Sequence, residues 1–236
     1  MKRAFLLGED IHLMQAANVT GKLPVTITKE ERKMAKAVNF GFLYGMYPRK
    51  FQKYAKINYG LDVSLAEAEV SREKYFAMFP GLVKWHERQK RMVRQFHQVS
   101  SPLGRVRHLP DIQSPDNSVR MEAERQAINS PVQATGSDIT LFGMTKLQHE
   151  LNPRDAAMVM TLHDGIGFEI REEKVSEYAP LIKEVLETLP LEKTFGTRLS
   201  VPLVADISWS THWAGTPDAS GLGLDALIEE DEVIEL

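Results

Sequence analysis

The spacing of apolar residues changes once along this chain, and that change limits the folds open to it. Residues 29–46 and 64–99 carry apolar side chains at three- and four-residue intervals among many charges, the mark of amphipathic helices. Residues 100–117 hold Pro102, Gly104, Pro110 and Pro115 and read as a loop region with short extended pieces. Helical spacing returns over 119–129, is expected to break at Pro131, and resumes over 137–151. Only then do short β-type runs occur, at 156–162 and 166–170, flanking His163-Asp164-Gly165. A helix over 173–189 and a strand over 199–207 complete the order. Helices first and strands late predict an α+β fold, with an antiparallel sheet confined to the last third. Residues 215–223 read as a linker, and 224–236 as a short acidic helix or a disordered end.

Composition narrows the function classes. With 236 residues, 43% of them hydrophobic, the chain suits one large or two small domains. No run approaches the roughly 18 apolar residues of a membrane span, and the start, MKRAFLLGED, is too short in apolar residues for a secretory leader. There is no cysteine, which removes disulfides, thiolate nucleophiles and cysteine–zinc sites. A cytoplasmic protein with no membrane partner is expected. The net charge of −3 hides an asymmetry. From Lys22 to Arg107 there are 18 Lys and Arg against 7 Asp and Glu, whereas from Thr216 on there are 7 acids and no base. A basic block beside an acidic tail suggests a polyanion-binding body with an appendage, although such bases also serve simply to solvate helix surfaces.

The richest stretch runs from Thr28 to Gly45. Thr28 and Glu31 form a capping-box pattern that fixes where the helix begins. Arg32, Lys36, Phe40 and Tyr44 follow at four-residue steps, a stripe roughly 18 Å long on one slowly turning face. Two cations lie near the N-terminal end, where the macrodipole also favours anions, and two aromatics follow. Gly41 and Gly45 are expected to leave room for something flat to approach the backbone. A nucleoside triphosphate is graded in the same way, with phosphates at one end and a stackable base at the other. An amphipathic helix with a basic edge and core aromatics is the plainer alternative.

The string resembles motif B, the fingers helix of family A DNA polymerases (the DNA polymerase I family). The resemblance implies that Arg32 and Lys36 grip the incoming dNTP, with Lys36 also catalytic, that Phe40 packs on the sugar, and that Tyr44 stacks at the templating site. Gly8-Glu9-Asp10-Ile11-His12 resembles that family's segment whose histidine also touches the triphosphate, which adds His12. The run from Ala157 to Glu169 reads as strand, turn, strand. Its Asp-Gly pair is a type I′ turn signal, so Asp164 either shapes a hairpin or projects a carboxylate that binds a divalent ion. The string is similar to motif C, normally His-Asp-Glu, which implies Asp164 as a catalytic Mg²⁺ ligand and His163 as a contact near the primer terminus. Gly165 stands where the family has glutamate.

Arg125, Asn129 and Gln133, also four apart, are donors suited to the acceptors that every base pair shows in the minor groove; solvent-facing polar residues share this pattern. Their surroundings resemble the family's palm, with Ala134 where glycine is usual. Gly104-Arg105-Val106-Arg107 resembles the loop near the DNA backbone, implying Arg105 and Arg107 as phosphate contacts. Further agreement at Phe79-Pro80-Gly81 and from Val201-Pro202-Leu203 to Trp213 carries the resemblance over residues 4–213. It implies mainly fingers over 1–117, the C-terminal part of the palm over 118–213, and an acidic tail over 214–236.

Nucleotidyl transfer by two Mg²⁺ ions needs carboxylates from both sides of the site. No Asp-Tyr-Ser-Gln-like motif A occurs in the 236 residues, and Asp138, Glu169 and Asp206 are not spaced as substitutes. The expectation is half an active site, bound to primer-template DNA and dNTP. A complementary polymerase chain would bring motif A and the thumb, or the chain is a clipped or truncated product of one longer gene; the expected setting is the cytoplasm of a bacterial or phage-infected cell. A single-subunit RNA polymerase-like fragment and a degenerate, non-catalytic nucleic-acid-binding subunit are the competing readings.

Overall fold

The computed structural model describes residues 1–211, so Trp213 and the acidic tail lie outside the described residues. The chain divides into two compact units, Met1–Thr135 and Gly136 onward.

The first unit is mostly helical: α1 (Lys2–Leu7), α2 (Ile11–Thr20), α3 (Lys29–Leu43), α4 (Pro48–Tyr59), α5 (Leu65–Met78) and α6 (Pro80–Phe96). Local chemistry sets the helix starts. Asp10 caps α2 by accepting from the His12 and Leu13 amides at 2.8 and 2.9 Å. Thr28/Glu31 and Ser64/Glu67 form reciprocal capping boxes on α3 and α5. Pro48 and Pro80 open α4 and α6, where a missing amide hydrogen costs nothing. Pro80 therefore splits the single helix expected over 64–99, and α3 ends at Leu43 rather than 46 because Gly45 turns to φ +75°. Residues 48–59, unassigned by the apolar spacing, form α4.

Val38 and Phe42 of α3, Phe51 of α4 and Tyr75 of α5 are fully buried and make the core; the Phe42 and Phe51 rings lie 4.7 Å apart. A short antiparallel pair, β1 (Gln98–Ser100) and β2 (Val106–His108), follows α6, so sheet structure is not confined to the last third.

Then α7 runs from Asn117 to Glu150 without the break expected at Pro131. Proline removes one backbone hydrogen bond there. The adjoining turns remain closed, with the Ser130 hydroxyl donating to the Gln126 carbonyl and the Thr135 hydroxyl donating to that of Pro131.

The second unit holds the antiparallel hairpin β3 (Ala156–Leu162) and β4 (Gly165–Ile170), then α8 (Val175–Glu187) and α9 (Leu191–Phe195). Ala156 of the hairpin packs with Leu147, Leu151, Tyr178 and Ile182, and Met158, Ile166, Phe168 and Ile170 join that core. A bulge between Met158 and Met160 leaves Val159 half exposed. No strand forms over 199–207. The Ala205 backbone is held by α8 side chains instead, its carbonyl by Lys183 Nζ at 2.5 Å and its amide by Glu187 Oε1 at 3.0 Å.

Candidate functional site

Within the first unit, α3 carries the graded stripe and α2 lies alongside it. Arg32 sits in the second turn of α3, and its Nε donates to Asp10 Oδ2 at 2.9 Å. Partial burial works to raise the Asp10 pKa. The Leu13 amide, the Arg32 guanidinium and the His12 amide outweigh that effect and hold the carboxyl below its ordinary value of 3.8. Lys36, one turn on, is half-buried and has no ion-pair partner among the described residues. Phe40 is 39% exposed, large for a ring on a core helix, and its centroid lies 5.7 Å from that of His12. The start of α2 thus meets α3 at two points, Asp10 at Arg32 and His12 at Phe40 two turns further on.

Tyr44 stands just past the end of α3 as its cap residue. Gln133 of α7 donates to its hydroxyl at 3.2 Å, which brings together two residues 89 apart in sequence. Gln133 also lines a cleft with Arg105 and Arg107, whose other walls include Ser101 and Ser130. Arg107 Nη2 donates to Gln126 Oε1 at 3.0 Å. Asn129, on the same helix, keeps a buried Oδ1 that has no protein partner. Arg125 grips the Glu122 carboxylate through both Nε and Nη2. The Arg125 hydrogen bond is the main reason the Glu122 pKa is lowered. Arg125 therefore enters any nucleic-acid contact already paired.

The reading of the glycines needs correction. A Cβ on Gly41 would meet the Phe51 ring at 2.8 Å, and one on Gly45 would meet Ile128 Cδ1 at 2.9 Å. The space beside both is filled by core side chains, not open to a ligand. Two residues the sequence analysis gave no role are central to the geometry, Asp10 and Asn39. The pairing of Asp10 with Arg32 lies across two helices and has no local signal.

In the second unit, His163 and Asp164 are the exposed two-residue tip of the β3–β4 hairpin, closed by the Leu162–Gly165 pair. Positive φ falls on His163 (56°) and not on Asp164 or Gly165. The turn therefore lacks the positive φ at both central residues that the expected type I′ requires. A Cβ on Gly165 would stand 3.3 Å from the Leu162 carbonyl, so the glycine fits a tight exit from the turn. Among the described residues no group of three or more His, Cys, Asp or Glu side chains could hold a metal ion. Asp164 alone offers two oxygens, fewer than an octahedral ion requires but of the hard type Mg²⁺ prefers. No helix among the described residues is long and apolar enough to cross a membrane.

The family model of DNA polymerase family A matches residues 1–215. The thermostable DNA polymerase I of Thermus filiformis is 36% identical over 213 residues, covering 90% of this chain and 24% of the relative. DNA polymerase I of Aquifex aeolicus is 36% identical over 193 residues, 79% of this chain and 30% of the relative. The POL domain of Pol1 from M. smegmatis, solved in complex with DNA primer-template and dNTP, superposes with a TM-score of 0.74. It is 28% identical, and the match covers 86% of this chain and 34% of that one. The chain thus spans about a quarter of the length of the first of these curated relatives.

Proposed function

The chain belongs to DNA polymerase family A, and from that premise we propose that it forms the fingers and the C-terminal part of the palm of a template-directed DNA polymerase. The carrying observation is the α3 stripe, with Arg32 and Lys36 ahead of Phe40 and Tyr44, and with His12 and Gln133 drawn to it from other helices. Arg32, Lys36 and His12 supply donors to a triphosphate whose oxygens only accept. Phe40 packs on the sugar, and Tyr44, held by Gln133, stacks at the templating position. Arg125, Asn129 and Gln133 bond the minor-groove edge near the primer terminus. Arg105 and Arg107 neutralise backbone phosphates, and His163 lies near the primer end.

Asp164 is one ligand of Mg²⁺, which when bound would activate the primer 3′-hydroxyl and stabilise charge on the leaving pyrophosphate. The remaining carboxylate comes from motif A on a complementary polypeptide that also brings the thumb. Gly165, in the place of the usual glutamate, and the absence of a motif A string from the 236 residues favour a second reading, a non-catalytic nucleic-acid-binding subunit.

The test is steady-state and single-turnover kinetics in the assembled enzyme. Lys36→Ala is expected to weaken dNTP use on the order of 10²-fold, as loss of one donor to developing charge does. Asp164→Ala is expected to abolish incorporation while DNA binding survives. An unchanged rate in Asp164→Ala would remove the motif C assignment. Incorporation of rNTP in preference to dNTP would point to an RNA polymerase-like enzyme.

A further inference from the structure

Asn39 precedes Phe40 on α3 and is buried, with 6% of its surface exposed. Its Nδ2 lies 2.7 Å from His12 Nδ1 and 3.4 Å from the Ile11 carbonyl oxygen. A carbonyl only accepts, so the end of the amide that faces Ile11 is its NH₂ group. That same group then turns its other hydrogen to His12 Nδ1. A flipped amide would set Oδ1 against the Ile11 oxygen, lone pair to lone pair. The orientation holds even though it leaves Asn39 Oδ1 buried without a partner. A ring nitrogen that accepts a hydrogen bond carries no proton, and a neutral imidazole has only one to place.

We propose that Asn39 is a positioning residue that locks His12 in its Nε2–H tautomer, so that the ring offers a donor to the anion. The proposal rests on the reading of His12 as a triphosphate ligand. Phosphate oxygens are acceptors, and the opposite tautomer would present a lone pair to them. The lock makes His12 a donor while still neutral, without any need for an imidazolium. Phe40, with its ring tilted 44° to the imidazole, packs beside it. One helix thereby supplies both the ring beside the imidazole and the group that sets the histidine's proton.

The test is a long-range proton–nitrogen correlation spectrum of the full 236-residue chain, ¹⁵N-labelled, with His12 assigned by its loss in His12→Gln. At about pH 8, above the ordinary histidine pKa, wild type is expected to show Nε2 protonated and Nδ1 bare. Asn39→Asp keeps the shape but can only accept, so the proton moves to Nδ1. Asn39→Leu removes both partners and gives a mixture of tautomers. In the assembled polymerase, His12→Gln and Asn39→Asp should each weaken dNTP binding on the order of tenfold. A wild-type spectrum with the proton on Nδ1 overturns the proposal even if every variant misfolds. So does a folded Asn39→Asp that keeps the wild-type tautomer, or one that keeps full dNTP affinity while His12→Gln loses it. In that last outcome the triphosphate reading of His12 stands. Unchanged affinity in both variants, with the tautomer as expected, removes that reading and the role of Asn39 with it.

Discussion

Asp10 does two jobs with one carboxylate. Oδ1 closes the first turn of α2 by accepting from two amides, and Oδ2 holds Arg32 on the neighbouring helix. Asp10→Ala removes the cap and should cost about 1 kcal/mol of stability, read from the shift in urea midpoint. Because the folded carboxyl titrates below 3.8, its contribution is complete above that pH and is lost as pH falls through the depressed folded value. Asp10→Asn should therefore flatten the acid limb of the stability curve. Gly41 and Gly45 supply the next expectation. Alanine at Gly41 must displace the Phe51 ring, and alanine at Gly45 must both push on Ile128 and hold φ +75°. Each should cost about 1–3 kcal/mol in thermal or urea unfolding. If either substitution proves silent, the space beside that glycine is open after all. The alignment of Arg32, Lys36 and Phe40 was legible because four-residue steps on a capped helix leave little freedom, whereas Tyr44 falls at the C-cap beyond the last helical turn. What fills the gaps beside the stripe was not legible, since Phe51 and Ile128 reach the glycines from other helices.

At the scale of elements, the C-terminal end of α3 is finished by a residue from α6. His86 is buried, and its Nε2–H donates to the Leu43 carbonyl at 2.9 Å. Burial is the main cause of its lowered pKa. The Leu43 bond opposes the shift, the Lys90 and Arg72 charges add to it, and the Glu87 charge opposes it. The folded value lies below the unfolded 6.5, so the stabilisation is complete above pH 6.5 and is lost as pH falls through the folded value. Urea midpoints taken from about pH 7 to pH 5 should fall, and His86→Gln should flatten that slope. An equal slope in the variant would place the titration elsewhere.

The element boundaries show what the sequence encodes locally. The capping box at Thr28 marked a true helix start because both partners lie within one turn, and the fold adds a second at Ser64. Two prolines misled in opposite directions. Pro80 begins a helix where continuation was expected, and Pro131 sits inside one where a break was expected. A proline's effect depends on whether its turn lies at an end or is supported by neighbours, which spacing does not record. The alternation over 199–207 is that of a strand, yet Lys183 and Glu187 satisfy the Ala205 backbone and no ladder forms.

At the scale of the molecule, the proposed substrate contacts divide between the two compact units. The residues proposed for triphosphate and minor-groove contact belong to Met1–Thr135, and Asp164, the proposed metal ligand, belongs to the unit from Gly136. On the proposed reading both sets are needed for the chemistry, because two metal ions take more oxygens than one carboxylate at a hairpin tip supplies. The family was readable from strings whose order along the chain matched, whereas the cross-helix ties of His12 to Asn39 and of Tyr44 to Gln133 needed the fold.

The most direct measurement is Mg²⁺-dependent primer extension by the 236-residue chain, alone and mixed with a polypeptide carrying the motif A aspartate and thumb of a family A polymerase. Extension by the mixture, none by either part, and none when the chain carries Asp164→Ala are the results this account predicts. Robust extension by the chain alone, or by the mixture with Asp164→Ala, would contradict it.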